Sequence, residues 1–260
     1  MILSKPMSSV RKEQICALLK GIETGDPAAV TVVNQEKYIQ HNPQTHEGSE
    51  GLAALFKRLS KTSPRVNIVR VFADGDYVFA HTEYDFSTRR IGFEVFRFEE
   101  DRAVEHWDNI QPRRGPTPSG HSMVDGPTEA AELGRTEANR SFVREFIEDV
   151  LIARRVDRLA HYIDTERFTQ HNPELEDGIG ALKAELEAVS GDRAVVEYER
   201  LHRVLAEGSF VLSVSEGFLA RVHSSFYDLF RVAEGKLVEH WDTIEAVPAP
   251  SEWKNENGKF

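Results

Sequence analysis

The chain has 260 residues, 40% hydrophobic and 29% charged, enough for a packed core in one large domain or two of ordinary size. A formal net charge of −11 argues against a nucleic-acid partner, which usually needs a basic face, and no apolar run approaches the ~20 residues that span a bilayer. Cys16, the single cysteine, excludes an internal disulfide; among Ile15, Ala17 and Leu18 it reads as a small core residue. The opening Met1-Ile2-Leu3-Ser4-Lys5-Pro6 lacks the apolar core of a secretory signal, so a cytoplasmic location is expected. Residues 1–125 carry 16 basic and 17 acidic side chains and the remainder 16 and 26, which a solvated acidic face in the second half accounts for.

In chain order, Ser8 or Ser9 is placed to cap a helix whose apolar positions Ile15, Leu18, Leu19 and Ile22 fall at helical spacing. Asp26-Pro27 starts a second helix, with aspartate at the cap and proline in the first turn. Ser49 is placed to cap a third, carrying Leu52, Leu55, Phe56 and Leu59. Four strand-like runs follow, over 66–72, 76–86, 91–98 and 103–110, with Asp74-Gly75 and Glu100-Asp101 as turns. Helices followed by an antiparallel meander make an α+β pattern.

The pattern then repeats. Gln40-His41-Asn42-Pro43 returns as Gln170-His171-Asn172-Pro173, and Glu105-His106-Trp107-Asp108 as Glu239-His240-Trp241-Asp242, at offsets of 130 and 134. Phe93-Glu94-Val95-Phe96-Arg97 matches Tyr227-Asp228-Leu229-Phe230-Arg231, again at 134. A long period seen twice indicates duplicated domains rather than a solenoid. The expected division is a first domain over 1–111, a Pro/Gly-rich linker over 112–135, a second domain over 136–247 and a tail over 248–260.

Strand alternation puts His106, Asp108 and Ile110 on one face and Glu105, Trp107 and Asn109 on the other. The expectation is one surface that gathers Glu94, His81, His106 and Asp108 among aromatic rings such as Phe96, with His41 reaching its rim. The second copy supplies Asp228, His240, Asp242, His171 and Phe230 in the same way, but Val214 stands where the first copy has His81. Carboxylate beside imidazole suits general acid–base work. No nucleophile elbow, phosphate-cradling loop or Cys-x-x-Cys pair is present, and no histidines stand at close ligand spacing, so neither metal nor cofactor is expected. His41-Asn42-Pro43 equally suits a tight capping turn with its imidazole bonded to backbone. Trp107 and Trp241 read as core anchors, and Arg97 and Arg231 as ion-pair partners on the opposite face.

In these motifs the chain resembles the SnoaL-like branch of the nuclear transport factor 2 superfamily, and it is similar to tandem proteins described as SnoaL-like aldol-condensation enzymes. The resemblance implies a cone of curved antiparallel sheet wrapped around helices in each copy, open at one end as a pocket. Relatives with that fold include polyketide cyclases, ketosteroid isomerase, scytalone dehydratase and limonene epoxide hydrolase, which mostly work without cofactors. Carried over, it implies Asp228 and, less well, Glu94 as the strand carboxylate and His106 and His240 as the late-strand histidine; with His81 from the alternation these are the catalytic candidates, and His41, Asp108, His171, Asp242, Phe96 and Phe230 are the expected pocket lining. The implied function is an aldol-type cyclase, isomerase or dehydratase acting on a small hydrophobic carbonyl compound. A non-catalytic ligand binder on a pseudo-dimeric scaffold, or a purely structural pair, are the alternatives. Expected partners are a small hydrophobic ligand and the opposite repeat, with a homodimer allowed, and neither nucleic acid nor membrane.

Overall fold

In the computed structural model, which describes residues 5–260, the chain divides into two units. Residues 1–4, part of the segment read for a signal, lie outside the described residues. The first unit runs to Pro112 and takes in Pro248–Phe260; the second is Arg113–Val247. Each copy of the repeat is therefore completed by the segment that follows the other copy in sequence.

The first copy opens with α1 (Met7–Thr24), whose Ile15, Leu18, Leu19 and Ile22 are buried on one face. Cys16 beside them is only half-buried. The helix stops at Gly25, whose φ of 67° is the left-handed cap that a side chain resists. Ser8 and Ser9 do not cap α1: both fall inside its first turn, after Pro6. Asp26 does cap, its carboxylate accepting the Ala28 N–H at 2.8 Å ahead of a 3-10 helix over Pro27–Val32. β1 (Ile39–Gln40) precedes α2 (Gly48–Ser60). Ser49 lies inside α2 and its hydroxyl donates to Gln35 O instead of capping. The meander follows as β2 (Arg65–Asp74), β3 (Tyr77–Asp85), β4 (Arg89–Glu99) and β5 (Arg102–Pro112).

The second copy has α3 (Thr136–Phe146), continued by a π-helical turn over Ile147–Ile152, then α4 (Leu159–Tyr162), β6 (Thr169–Gln170) and α5 (Ile179–Glu187). A small hairpin of β7 (Val189–Ser190) and β8 (Arg193–Ala194) leads to β9 (Val196–Glu207), β10 (Phe210–Leu219), β11 (Val222–Ala233) and β12 (Lys236–Ala246).

The two five-stranded sheets have the same order, β1-β5-β4-β3-β2 and β6-β12-β11-β10-β9. In each, the short first strand pairs in parallel with the last strand while the meander is antiparallel. Helical residues pack on one sheet face in each copy: Ile15 and Leu18 with Phe96 and Phe98, and Val143 and Phe146 with Phe230 and Val232. The architecture is mixed α+β with two matching sheets, as the cone fold requires. Register shifts bend both sheets, and one lies at Glu216/Gly217 in the β9–β10 pair. A Cβ at Gly217 would stand 1.9 Å from Glu197 O, so only glycine lets β9 approach there.

Candidate functional site

The strand register builds a carboxylate–imidazole pair in each copy. Glu94 lies opposite Asp108 across β4–β5, and His106 lies opposite Phe96 on the same face. His106 Nε2 sits 2.7 Å from Glu94 Oε2. In the second copy Asp228 lies opposite Asp242 across β11–β12, and His240 Nε2 sits 3.0 Å from Asp228 Oδ1. All six side chains are buried.

The early motif holds the late one. Parallel pairing sets Gln40 beside His106 and Gln170 beside His240. Gln40 Oε1 accepts from Asn42 N at 2.9 Å, and Gln170 Oε1 from His171 N and Asn172 N at 3.1 and 3.2 Å. Those backbone donors identify the amide oxygen, so each imidazole must present Nδ1–H to it, at 2.8 Å in both copies. Nε2 is then the nitrogen facing the carboxylate, and the pair shares one mobile proton. Asn42 Nδ2 donates to Asp108 Oδ2 at 2.5 Å, and Asn172 Nδ2 to Asp242 Oδ2 at 2.7 Å. Of the repeated Gln-His-Asn-Pro motif, the glutamine and asparagine reach the site; the histidine does not.

His41 and His171 lie on the opposite sheet face from the pairs, which corrects their expected place in the pocket. They stack on Trp107 and Trp241 with ring centroids 4.7 and 4.6 Å apart, because those tryptophans alternate with His106 and His240 along the strand. His41 bonds Glu105 and Gly258 O, and His171 bonds Glu239 and Ser122 O. Glu105 and Glu239 also take Arg97 and Arg231 at 2.7 Å. Burial works against the Glu239 charge, but His171 and Arg231 outweigh it and hold its carboxyl below the ordinary range.

His81 is also displaced from its expected position. Its register partner is Phe93, while Ala80 is the residue opposite Glu94, so His81 points to the other face. There it meets Arg70 Nη1 at 2.7 Å and stacks on Phe93. Its replacement by Val214 in the second copy therefore leaves the carboxylate–imidazole pair untouched.

Two phenols join the pairs from different strands. Tyr84 on β3 donates to Glu94 Oε1 at 2.7 Å; Tyr198 on β9 donates to both Asp228 oxygens at 3.2 Å. In the second copy the residue facing Tyr198 is Gly217, whose bareness lets the β9 backbone at Glu197 and Tyr198 come close. Burial holds both phenols well above their ordinary range, so they stay protonated donors.

The surroundings differ between the copies. In the first, the buried Lys259 donates from Nζ to Asp108 O at 2.8 Å and Oδ1 at 3.3 Å. In the second, a narrow cavity reaches the pair, lined by Glu185, Tyr198, Asp228, His240 and Asp242 against apolar walls that include Phe146 and Phe230. Its enclosed volume of about 20 Å³ holds roughly one water. Burial lifts Asp242 to about 6 and Glu185 to about 7. For His240 burial favours the neutral ring, but Asp228, Asp242 and Glu185 outweigh it and raise its affinity for a proton. Burial likewise raises Glu94, offset in part by His106.

Sequence reasoning placed Phe96 beside His106, where their centroids lie 4.5 Å apart, and Phe230 in the cavity wall. It missed Tyr84, Tyr198, Glu185 and Lys259, none of which stands in a repeated motif. Among the described residues, Glu94-His106-Asp108 and Asp228-His240-Asp242 each bring three donor atoms within 4.8 Å of one another, the spacing a metal ion needs. Imidazole plus two carboxylates fits a hard or borderline divalent ion, and in the first copy Lys259 already supplies a positive charge there.

Each copy thus sets a carboxylate–imidazole pair on the helix-covered face of a five-stranded sheet, in a mixed α+β arrangement. Residues 16–106 match the family model of the SnoaL-like domain. No curated protein matches the chain. Among solved structures it is similar to TsrD from Streptomyces laurentii, at 18% identity over 40% of this chain and 89% of that one, with a TM-score of 0.36. It is similar to an M. tuberculosis LEH-like epoxide hydrolase at 18% identity over 41% and 86%, TM-score 0.36. An NTF2-like protein of unknown function from Cytophaga hutchinsonii is 14% identical over 43% and 96%, TM-score 0.35. Among the described residues no helix is long and apolar enough to cross a membrane.

Proposed function

We propose that the second copy carries out cofactor-free acid–base chemistry on a small hydrophobic carbonyl compound, in the manner of an aldol-type cyclase, isomerase or dehydratase. Asp228 takes a proton from the carbon next to the carbonyl, and His240 returns one to the oxygen from Nε2. Gln170 keeps Nδ1 protonated throughout, so the ring turns over through one nitrogen only. Tyr198 orients the Asp228 carboxylate. The observation that carries this reading is the cavity, which meets the pair where Asp228, His240 and apolar walls converge. In the first copy the cationic Lys259 at Asp108 argues for a supporting role for that pair.

The test is exchange of α-hydrogens of small ketones and aldehydes for deuterium, followed by NMR. Asp228→Asn and His240→Gln should each slow catalysed exchange at least 100-fold, general acid–base groups being worth ~10²–10⁴. Glu94→Gln should leave it within about threefold. Exchange unchanged in Asp228→Asn would defeat the proposal. The second reading, a non-catalytic binder of a small apolar ligand, is favoured by the predominantly apolar wall; it predicts saturable binding with no exchange in any variant.

A further inference from the structure

The equivalent carboxylates Asp108 and Asp242 are held alike on one oxygen and differently on the other. Each Oδ2 takes the asparagine of the early motif, Asn42 or Asn172. Asp108 Oδ1 then takes the ammonium of Lys259, whereas Asp242 Oδ1 is buried and accepts no hydrogen bond. The cause lies in the exchanged terminal segments. Gly258 O bonds His41 as Ser122 O bonds His171, and the residues that follow these carbonyls are Lys259 and Met123. Methionine brings no charge; the basic side chain that acts on Asp242 is Arg114, which favours its ionised form without a hydrogen bond to Oδ1. Leaving a buried carboxylate oxygen unpaired is costly, and Asp242 faces the cavity rather than closed protein.

We propose that the second copy takes a ligand bearing a protonated amine, whose ammonium sits on Asp242 Oδ1 as the Lys259 ammonium sits on Asp108. This rests on the second copy being the ligand-binding one and names the charge of what it binds. The enclosed room suits a slender ammonium head, and Phe146, Leu182, Leu186 and Phe230 offer contact to an alkyl body. Asp228 and Glu185 add negative potential at the same point.

Calorimetry with n-butylammonium at pH 7.5 on the full chain, against 1-butanol as the neutral match, decides the matter. One site per chain is expected, with butanol at least tenfold weaker. Met123→Lys, which installs the first copy's cation, and Asp242→Asn, which keeps the shape, should each weaken butylammonium at least tenfold. Equal binding of butanol, or variants that bind the amine as the parent does, would overturn the proposal. So would Mn²⁺ binding seen by electron paramagnetic resonance, lost in both variants and unaccompanied by amine binding; that result would assign an inorganic cation site. Amine binding is read without turnover, so it can fail while α-hydrogen exchange persists, and the reverse.

Discussion

Substituting Lys259 with methionine, the residue of the other copy, isolates the electrostatic cost of the first site. Lys259 and Asp108 side chains are 2% and 5% exposed, and Nζ is held by both the backbone and carboxylate oxygens of Asp108. Removing one member of a buried ion pair strands the other and costs roughly 3–5 kcal/mol, against total domain stabilities of ~5–15 kcal/mol. The segment around it is anchored independently: Asn255 donates to Asn42 O and Thr45 O, Asn257 donates to Gln40 O, and Gly258 O bonds His41. The expected loss is therefore local and large rather than a release of the whole tail. Urea unfolding followed by tryptophan fluorescence reads it, since Trp107 and Trp253 belong to the first unit and Trp241 to the second. With urea slopes of ~1–3 kcal/mol/M, the midpoint of the first unit should fall by about 1 M or more. Adding Asp108→Asn removes the stranded charge and should recover at least half of the loss. A cost below about 1 kcal/mol for Lys259→Met, or a double variant no more stable than the single one, would refute the argument.

Asp242 and Glu185 bind protons more tightly folded than unfolded, because burial lifts them to about 6 and about 7 from ordinary values near 4. Their contribution is thus favourable when protonated and is lost as pH rises through roughly 4–7, so Glu185→Gln should gain stability relative to the parent on going from pH 5 to pH 7.5, read by urea midpoints. A parent-to-variant difference independent of pH would contradict it. Long-range ¹⁵N NMR should show Nδ1 of His106 and His240 carrying a proton; a neutral ring protonated at Nε2 alone would break the assignment made through Gln40 and Gln170. Tyr84→Phe removes a 2.7 Å hydrogen bond to a buried carboxylate and should cost about 1.5–3 kcal/mol in urea unfolding. Gly217→Ala places a Cβ 1.9 Å from Glu197 O and should destabilise the second unit by roughly 1–3 kcal/mol, measured by thermal unfolding; a change under about 0.5 kcal/mol would show that β9 can retreat.

The duplication, the α+β class and the order of elements follow from the chain alone, because hydrophobic periodicity and turn residues are local signals repeated in matching order. Glu94 with His106, and Asp228 with His240, could likewise be paired from alternation within adjacent strands. Alternation along one strand does not say which face of the next strand it matches, since a one-residue change of register moves every side chain to the other face. That is why His81 leaves the site once Ala80 is found opposite Glu94, and why His41 and His171 stack on tryptophans while Gln40 and Gln170 do the work at the imidazoles. Lys259 and Met123 lie still further from anything periodicity reports. Each arrives from a segment that follows the other copy in sequence, and only the folded chain brings the Lys259 ammonium to one carboxylate and leaves Oδ1 of its counterpart without a hydrogen bond. Local pattern therefore determined the two frameworks, and tertiary contact alone decided that their charges differ.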